Sequence, residues 1–247
     1  MASFPFPEPA GAVVVGASGG LGAALVEALG AGGAFGTVLA LSRHGQGPAA
    51  PGRVHGRIDV TDEHAVAAAA GTARSLAPLR LVIVASGLLH DGPGLRPEKS
   101  IAALDPNRLA RLFAVNATGP ALVAKHFLPL MPRGGRVVFA AVSARVGSIT
   151  DNRLGGWYGY RASKAALNML LRTLAVEWSR TAPESVCVGL HPGTVDTPLS
   201  RPFQAGVPAG RLLTPARSAD HLLTVIGALA PADSGGVYAW DGSPVPP

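Results

Sequence analysis

Gly16-Ala17-Ser18-Gly19-Gly20-Leu21-Gly22 stands between a short β-branched run, Ala12-Val13-Val14-Val15, and an Ala/Leu stretch that continues to Ala31. Position matters more than glycine count here. Glycines placed where a strand becomes a helix permit a tight turn and let the backbone approach a pyrophosphate, which then faces the N–H groups and positive dipole end of the helix. A tight strand-to-helix turn without a ligand is the plainer reading. The place of Gly16, Gly20 and Gly22 between strand and helix makes nucleotide binding the expectation to test, with Ser18 and Leu21 of the same turn as further candidate contacts.

Outward from this turn the chain alternates short apolar runs with longer helical segments, the pattern of repeated βαβ units around a parallel sheet. Strands are predicted at Ala12–Val15, Thr37–Leu41, Arg53–Ile58, Leu79–Ala85, Arg136–Val142, Ser185–Leu190 and Gly236–Ala239. Several are continuously apolar, as strands covered on both faces should be. Helices are expected over Leu21–Ala31, Glu63–Leu76, Pro106–Leu130, Tyr158–Arg180 and Pro215–Leu229, with Asp62, Asp105 and Thr214 as N-caps and Pro106 and Pro215 at first helical positions. The Gly/Pro-rich stretches Gly45–Gly52 and Gln204–Gly210 read as surface loops. The expected fold is one doubly wound α/β domain over residues 1–247, about seven parallel strands with helices on both faces.

Composition excludes several classes of function. Lys and Arg number 21 against 15 Asp and Glu, yet they are scattered singly with no run or aromatic interleaving, so no nucleic-acid partner is expected. Apolar segments are interrupted by Gly, Pro or charge before spanning length, and Met1–Pro7 shows no basic region ahead of an apolar core, so neither membrane insertion nor a leader is expected. Cys187, the single cysteine, lies in an apolar stretch and reads as a buried small hydrophobe. A cytoplasmic location follows, and no metal site is suggested.

The second strand ends Leu41-Ser42-Arg43. A carboxylate at this point would suit a free ribose 2′-hydroxyl, whereas an Arg suits a 2′-phosphate. Arg43, with Ser42 beside it, therefore favours NADP(H), with NAD(H) still open; a solvated surface Arg is the alternative.

Tyr160-Arg161-Ala162-Ser163-Lys164 places a phenol and an ammonium four residues apart, on one face of a helix. A nearby cation favours the phenolate, whose ordinary pKa is about 10. Tyr160 then becomes a candidate general acid in reduction and base in oxidation. Pro120 has no N–H to offer the carbonyl of Asn116, so the helix should kink there and leave that carbonyl free for a water.

With the glycine turn, the Tyr/Lys pair and Asn116 in this order, the chain resembles the classical short-chain dehydrogenase/reductases over nearly its whole length. The stretch from Ser143 through Asp151 to Tyr158, with His191-Pro192-Gly193-Thr194-Val195-Asp196-Thr197, is most similar to the C-factor and sniffer-like carbonyl reductase branch. The resemblance implies a Rossmann-type domain and a catalytic set of Asn116, Ser143, Tyr160 and Lys164. It implies cofactor contacts from Lys164, Tyr160 and Asn116, from the adenine-side pair Asp59 and Val60, from Gly87, and from Pro192, Gly193, Val195 and Thr197. The family usually carries Asn-Asn-Ala-Gly after the fourth strand, where this chain has Val84-Ala85-Ser86-Gly87. Its usual Ser pair reads here Ser143-Ala144, leaving Ser148 as the alternative hydroxyl. Ser143, directly after the fifth strand, is expected to emerge at the carboxyl end of the sheet and donate to the substrate oxygen.

Together these residues imply an NADP(H)-dependent oxidoreductase that interconverts a small-molecule carbonyl and an alcohol. A nucleotide-binding regulatory or C-factor-like signalling protein with little turnover is the alternative. Residues 194–213, rich in Gly and Pro, read as a mobile lid that sets substrate choice, and the resemblance implies a homodimer or homotetramer.

Overall fold

The computed structural model describes Phe6 and residues 10–76, 78–92 and 94–247. The reading of Met1–Pro7 as free of a leader therefore falls, Phe6 apart, outside the described residues. Seven parallel strands form the main sheet: β1 (Gly11–Val15), β2 (Thr37–Ser42), β3 (Arg53–Arg57), β4 (Leu79–Val84), β5 (Val137–Val142), β6 (Ser185–His191) and, at the far edge, β9 (Val237–Ala239). Their order is β3-β2-β1-β4-β5-β6-β9, so the chain reverses direction of travel between β1 and β4. Ligands of open α/β sheets bind at the carboxyl ends of the strands beside such a reversal.

Both faces of the sheet are covered. On one face Val13, Val15, Phe139 and Ala141 pack with α2 (Glu63–Ala73), α4 (Gly119–Phe127) and α5 (Tyr158–Trp178). On the other, Ala12, Val14, Val138 and Ala140 pack with α1 (Gly20–Ala31) and α6 (Pro215–Ala228). Successive strand side chains alternate between the two layers, and each fully buried Val or Leu contributes about 1.5–3 kcal/mol. Cys187 is buried in this core, and its thiol is pushed up to about 12 by burial.

Strand ends agree with the sequence expectation to within a residue, and the three caps form: Asp62 accepts from His64 N–H, Asp105 from Arg108 N–H and Thr214 from Arg217 N–H. The helix expected over Pro106–Leu130 is not continuous. It divides into α3 (Pro106–Phe113), a π turn at Ala114–Thr118, and α4, which gives way to a short 3-10 turn over Leu128–Leu130. Gly119 N–H reaches back five residues to Ala114 O, and Pro120, lacking an N–H, follows the widened turn as the second residue of α4.

Two further features were not anticipated. Residues Arg201–Gly206 form a 3-10 helix inside the stretch read as a lid, overlapping the loop expected from Gln204. Its flanks pair as a small parallel ladder, β7 (Thr194–Val195) with β8 (Leu212–Leu213). Two-residue strands leave no periodicity to read.

Candidate active site

The glycine turn lies at the carboxyl end of β1, and its glycines are required by contact. Gly16 has φ +89°, and a Cβ there would stand 2.6 Å from Ser86 N, while one at Gly22 would stand 2.1 Å from Gly16 O. Gly19 caps α1 with no side-chain hydrogen bond, and the first turn carries no acidic residue. Free N–H groups and an uncompensated dipole end are thereby left at the turn, with Ser18 exposed and Leu21 half-buried beside them. A Cβ at Gly20 would meet Thr197 Cγ2 at 2.8 Å, so the segment after β6 closes over the turn. Along that segment Pro192 O accepts from Ser218 Oγ at 2.8 Å, Gly193 has φ +76°, and Val195 is buried. Gly87 lies exposed after β4 with Asn116 Oδ1 nearby. The donor set and the backbone cradle fit a dinucleotide pyrophosphate.

At the end of β2, Ser42 is buried and its Oγ accepts Gly45 N–H at 3.1 Å, while Arg43 is exposed. Asp59 accepts from both the hydroxyl and the N–H of Thr61, which hold its carboxyl below the usual range, and the charges of Arg43 and Arg57 add to this. Arg57, unremarked in the sequence, thus brings a second cation to the Arg43 corner. Val60 is buried against Gly119, where a Cβ would stand 2.9 Å from Val60 Cβ.

Tyr160 and Lys164 lie on the buried face near the start of α5, 8% and 2% exposed. Lys164 Nζ donates to Val142 O at 2.7 Å, tying α5 to the carboxyl end of β5, and sits 5.9 Å from the centre of the Tyr160 ring. Burial dominates both groups in the chain itself. The phenol is pushed up to about 12 and the ammonium down to about 8, so the expected lowering of the phenol by its neighbour is outweighed by desolvation.

Asn116 is wholly buried in the π turn. Its Oδ1 accepts Leu88 N–H at 2.8 Å, and its Nδ2 donates to Leu88 O at 2.8 Å and Ser163 Oγ at 3.1 Å. Ser163 in turn donates to Tyr160 O at 2.8 Å. Asn116 thus joins three elements: the loop after β4, its own turn and α5. Ser163 was missed in the sequence, although it lies three residues from Tyr160 and next to Lys164.

The expectation for Ser143 requires correction. Its hydroxyl is buried and donates to Asn168 Oδ1 of α5 at 2.6 Å, not toward Tyr160. The reason is strand parity: Val137, Phe139 and Ala141 face the α5 layer, and Ser143, two residues on, continues that face. Ala144, facing the other way, packs with Tyr160 instead. Ser148 accepts Asp151 N–H at 3.0 Å and donates to Pro247 O at 3.2 Å, which satisfies the lengthened loop.

Around Tyr160 packs an apolar cluster of Leu88, Leu89, Leu95, Leu112, Ala144, Val146, Trp157 and Phe203. Trp157 meets Tyr160 edge-on at 6.2 Å and Phe203 at 4.8 Å between ring centres. Phe203 comes from the segment read as a lid. His90 Nε2 lies 3.2 Å from Pro198 O and 3.1 Å from Leu199 O, and its ring packs on Phe203. With two carbonyls in reach, Nε2 is the protonated nitrogen.

A doubly wound sheet with a glycine turn at its reversal, and a buried Tyr/Lys pair in α5 tied to the carboxyl end of β5, is the arrangement of a dinucleotide-dependent enzyme. A family model described as short chain dehydrogenase matches residues 10–207, and the chain belongs to that family. It is an oxidoreductase of that type, served by a nicotinamide cofactor.

Among its relatives, C-signal of Myxococcus xanthus is 38% identical over 148 residues, 60% of this chain and 83% of that protein. The chain is matched to 60% and 56% of the lengths of two further curated relatives. An NADPH-bound carbonyl reductase from chicken fatty liver superposes with a TM-score of 0.82 at 26% identity, covering 98% of this chain and 96% of that one. The Sniffer carbonyl reductase of D. melanogaster has a TM-score of 0.78 at 24% identity over 96% and 98% of the two chains, a likeness of fold.

Proposed function

We propose that this protein reduces apolar carbonyl compounds with NADPH, Tyr160 delivering the proton. The observation that carries the reading is the buried Tyr160 hydroxyl-bearing ring, walled by Trp157, Phe203 and leucines and backed by Lys164. When bound, the dihydronicotinamide supplies the hydride to the carbonyl carbon. Tyr160 gives its proton to the carbonyl oxygen as the alcohol forms, and a phenol held up by burial is fully protonated for that role at neutral pH. Lys164, anchored on Val142, steadies the phenol and is available to the nicotinamide ribose. Asn116 holds the loop after β4 and the first turn of α5 in register, and its backbone carbonyl is the proposed seat of a relay water.

The preference for NADPH rests on Arg43 and Arg57 at the adenosine corner, and the NADPH-bound carbonyl reductase of like fold supports it. An apolar groove between α4 and α5, with Leu170 and Leu174 in its wall and Met169 and Val176 exposed nearby, supports a homodimer or homotetramer packed through these helices. Among the described residues no helix is long and apolar enough to cross a membrane; with one buried thiol, we place the protein in the cytoplasm. The test is loss of NADPH absorbance with a panel of ketones and aldehydes, against NADH as control. Tight NADPH binding with no oxidation by any apolar carbonyl would move the assignment to a nucleotide-binding signalling protein, the reading that similarity to C-signal suggests.

A further inference from the structure

A buried carboxylate stands next to the proposed acid without a part in the reaction as described. Glu98, in the segment after β4, is 3% exposed. Its Oε2 accepts Gly159 N–H at 3.1 Å, and its backbone carbonyl accepts Trp157 N–H. Oε1 has no hydrogen-bond partner among the described residues. The fit around it is tight: a Cβ added at Gly159 would stand 2.9 Å from Oε1 and 2.7 Å from Leu112 Cδ1.

What Glu98 holds is an unusual helix entry. Gly155, Gly156 and Trp157 all adopt positive φ, at 62°, 64° and 54°. Two glycines do so freely, but a tryptophan in the left-handed region is strained and stays there only when its surroundings fix it. Trp157 begins α5 with no side-chain cap of its own, and the first turn of α5 has no acidic residue. Glu98 supplies both missing elements from outside the helix, an acceptor for Gly159 N–H and a negative charge at the positive dipole end. Burying a carboxylate with one donor is costly. An exposed Ser or Asp at position 157 would cap the helix at less cost, but it would remove the indole that touches both Tyr160 and Phe203.

We propose that Glu98 is a positioning residue for carbonyl reduction: it clamps the left-handed entry of α5 at two points and so fixes Trp157 and Tyr160 against the substrate. The inference rests on Tyr160 being the proton donor.

The test uses the full chain with saturating NADPH, comparing wild type with Glu98→Gln and Glu98→Ala. The amide keeps the acceptor for Gly159 but loses the charge. It should lower kcat about three- to tenfold, and alanine more than tenfold, while the NADPH dissociation constant stays within about twofold for both. Wild-type kcat in both variants overturns the proposal, as does an NADPH affinity that falls in parallel with kcat. If the alanine variant does not fold, Glu98→Gln decides alone. Hydrogen exchange gives a readout independent of turnover: the Gly159 amide should exchange about tenfold faster in Glu98→Ala, which removes its acceptor, with the amides of Leu171 to Ala175 unchanged. Unchanged exchange at Gly159 refutes the clamp even if the chain proves to have no reductase activity.

Discussion

Lys164 reaches across from α5 to donate to the carbonyl of Val142, the last residue of β5, at 2.7 Å. One hydrogen bond therefore fixes the ammonium relative to both the sheet end and the Tyr160 ring. The two side chains should separate cleanly by mutation. Tyr160→Phe is expected to lower carbonyl reduction by about 100- to 10,000-fold and leave NADPH affinity nearly intact, because the hydroxyl moves a proton without holding the cofactor. Lys164→Ala should lose both, since the ammonium is also the proposed contact for the nicotinamide ribose. More than a few per cent of wild-type turnover in Tyr160→Phe would show that another group donates the proton.

Arg43 stands exposed at the end of β2 with Arg57 close enough for both charges to act on Asp59. A phosphate–guanidinium contact contributes on the order of 1.5–3 kcal/mol, roughly ten- to a hundredfold in affinity. Arg43→Ala should therefore remove most of the preference for NADPH over NADH, and Arg57→Ala a smaller part. Equal Michaelis constants for the two cofactors in the unmutated protein would contradict the assignment.

His191 ends β6 with its Nδ1 buried and unpartnered among the described residues. Burial first, and the charge of Arg145 second, push its pKa down to about 4, with Asp241 opposing. Above about pH 6.5 the ring is neutral in both folded and unfolded chains. As pH falls from there toward 4, the unfolded chain takes up the proton and the folded one does not, so stability is lost through that window. The drop from 6.5 to about 4 corresponds to about 3 kcal/mol at most. Chemical denaturation at several pH values should show this loss, and His191→Asn should flatten it. A wild-type midpoint unchanged between pH 7 and 4.5 would argue against it.

Much of this architecture was readable because its signals are local. A strand-to-helix glycine turn, three polar N-caps and continuous apolar runs need no partner to be recognised, and they located the seven main-sheet strands to within a residue. The break at Asn116 was half legible. Pro120 announced the disruption, but a π turn and a kink begin from the same missing N–H, and only packing decides between them. Glu98 and Ser163 gave no such sign, because their importance arises from segments far away in sequence: Glu98 meets Gly159 and Ser163 meets Asn116. The two faces of β5 were also hidden. A strand apolar on both sides has no alternation to reveal which layer each residue faces.

That ambiguity governs the last prediction. Ser143 was expected to orient the substrate carbonyl, yet parity carries its hydroxyl to Asn168 while Ala144 packs in the cluster around Tyr160. The Ser143 hydroxyl has one proton, and it is given to Asn168 Oδ1 at 2.6 Å. Ser143→Ala should therefore lower stability by about 0.5–1.5 kcal/mol, through the hydrogen bond lost to the half-buried Asn168 Oδ1, and change kcat less than about threefold. Ser148→Ala should likewise spare turnover, since its hydroxyl serves Asp151 and Pro247. Ala144→Ser places a donor among the residues around Tyr160. If the carbonyl oxygen sits there, the added hydrogen bond should raise kcat/KM by several-fold to tenfold, with NADPH affinity unchanged. The three variants can be compared in one assay of carbonyl reduction. A collapse of kcat in Ser143→Ala, with Ala144→Ser no better than wild type, would restore the catalytic role to Ser143 and require its side chain to turn from Asn168 toward the substrate.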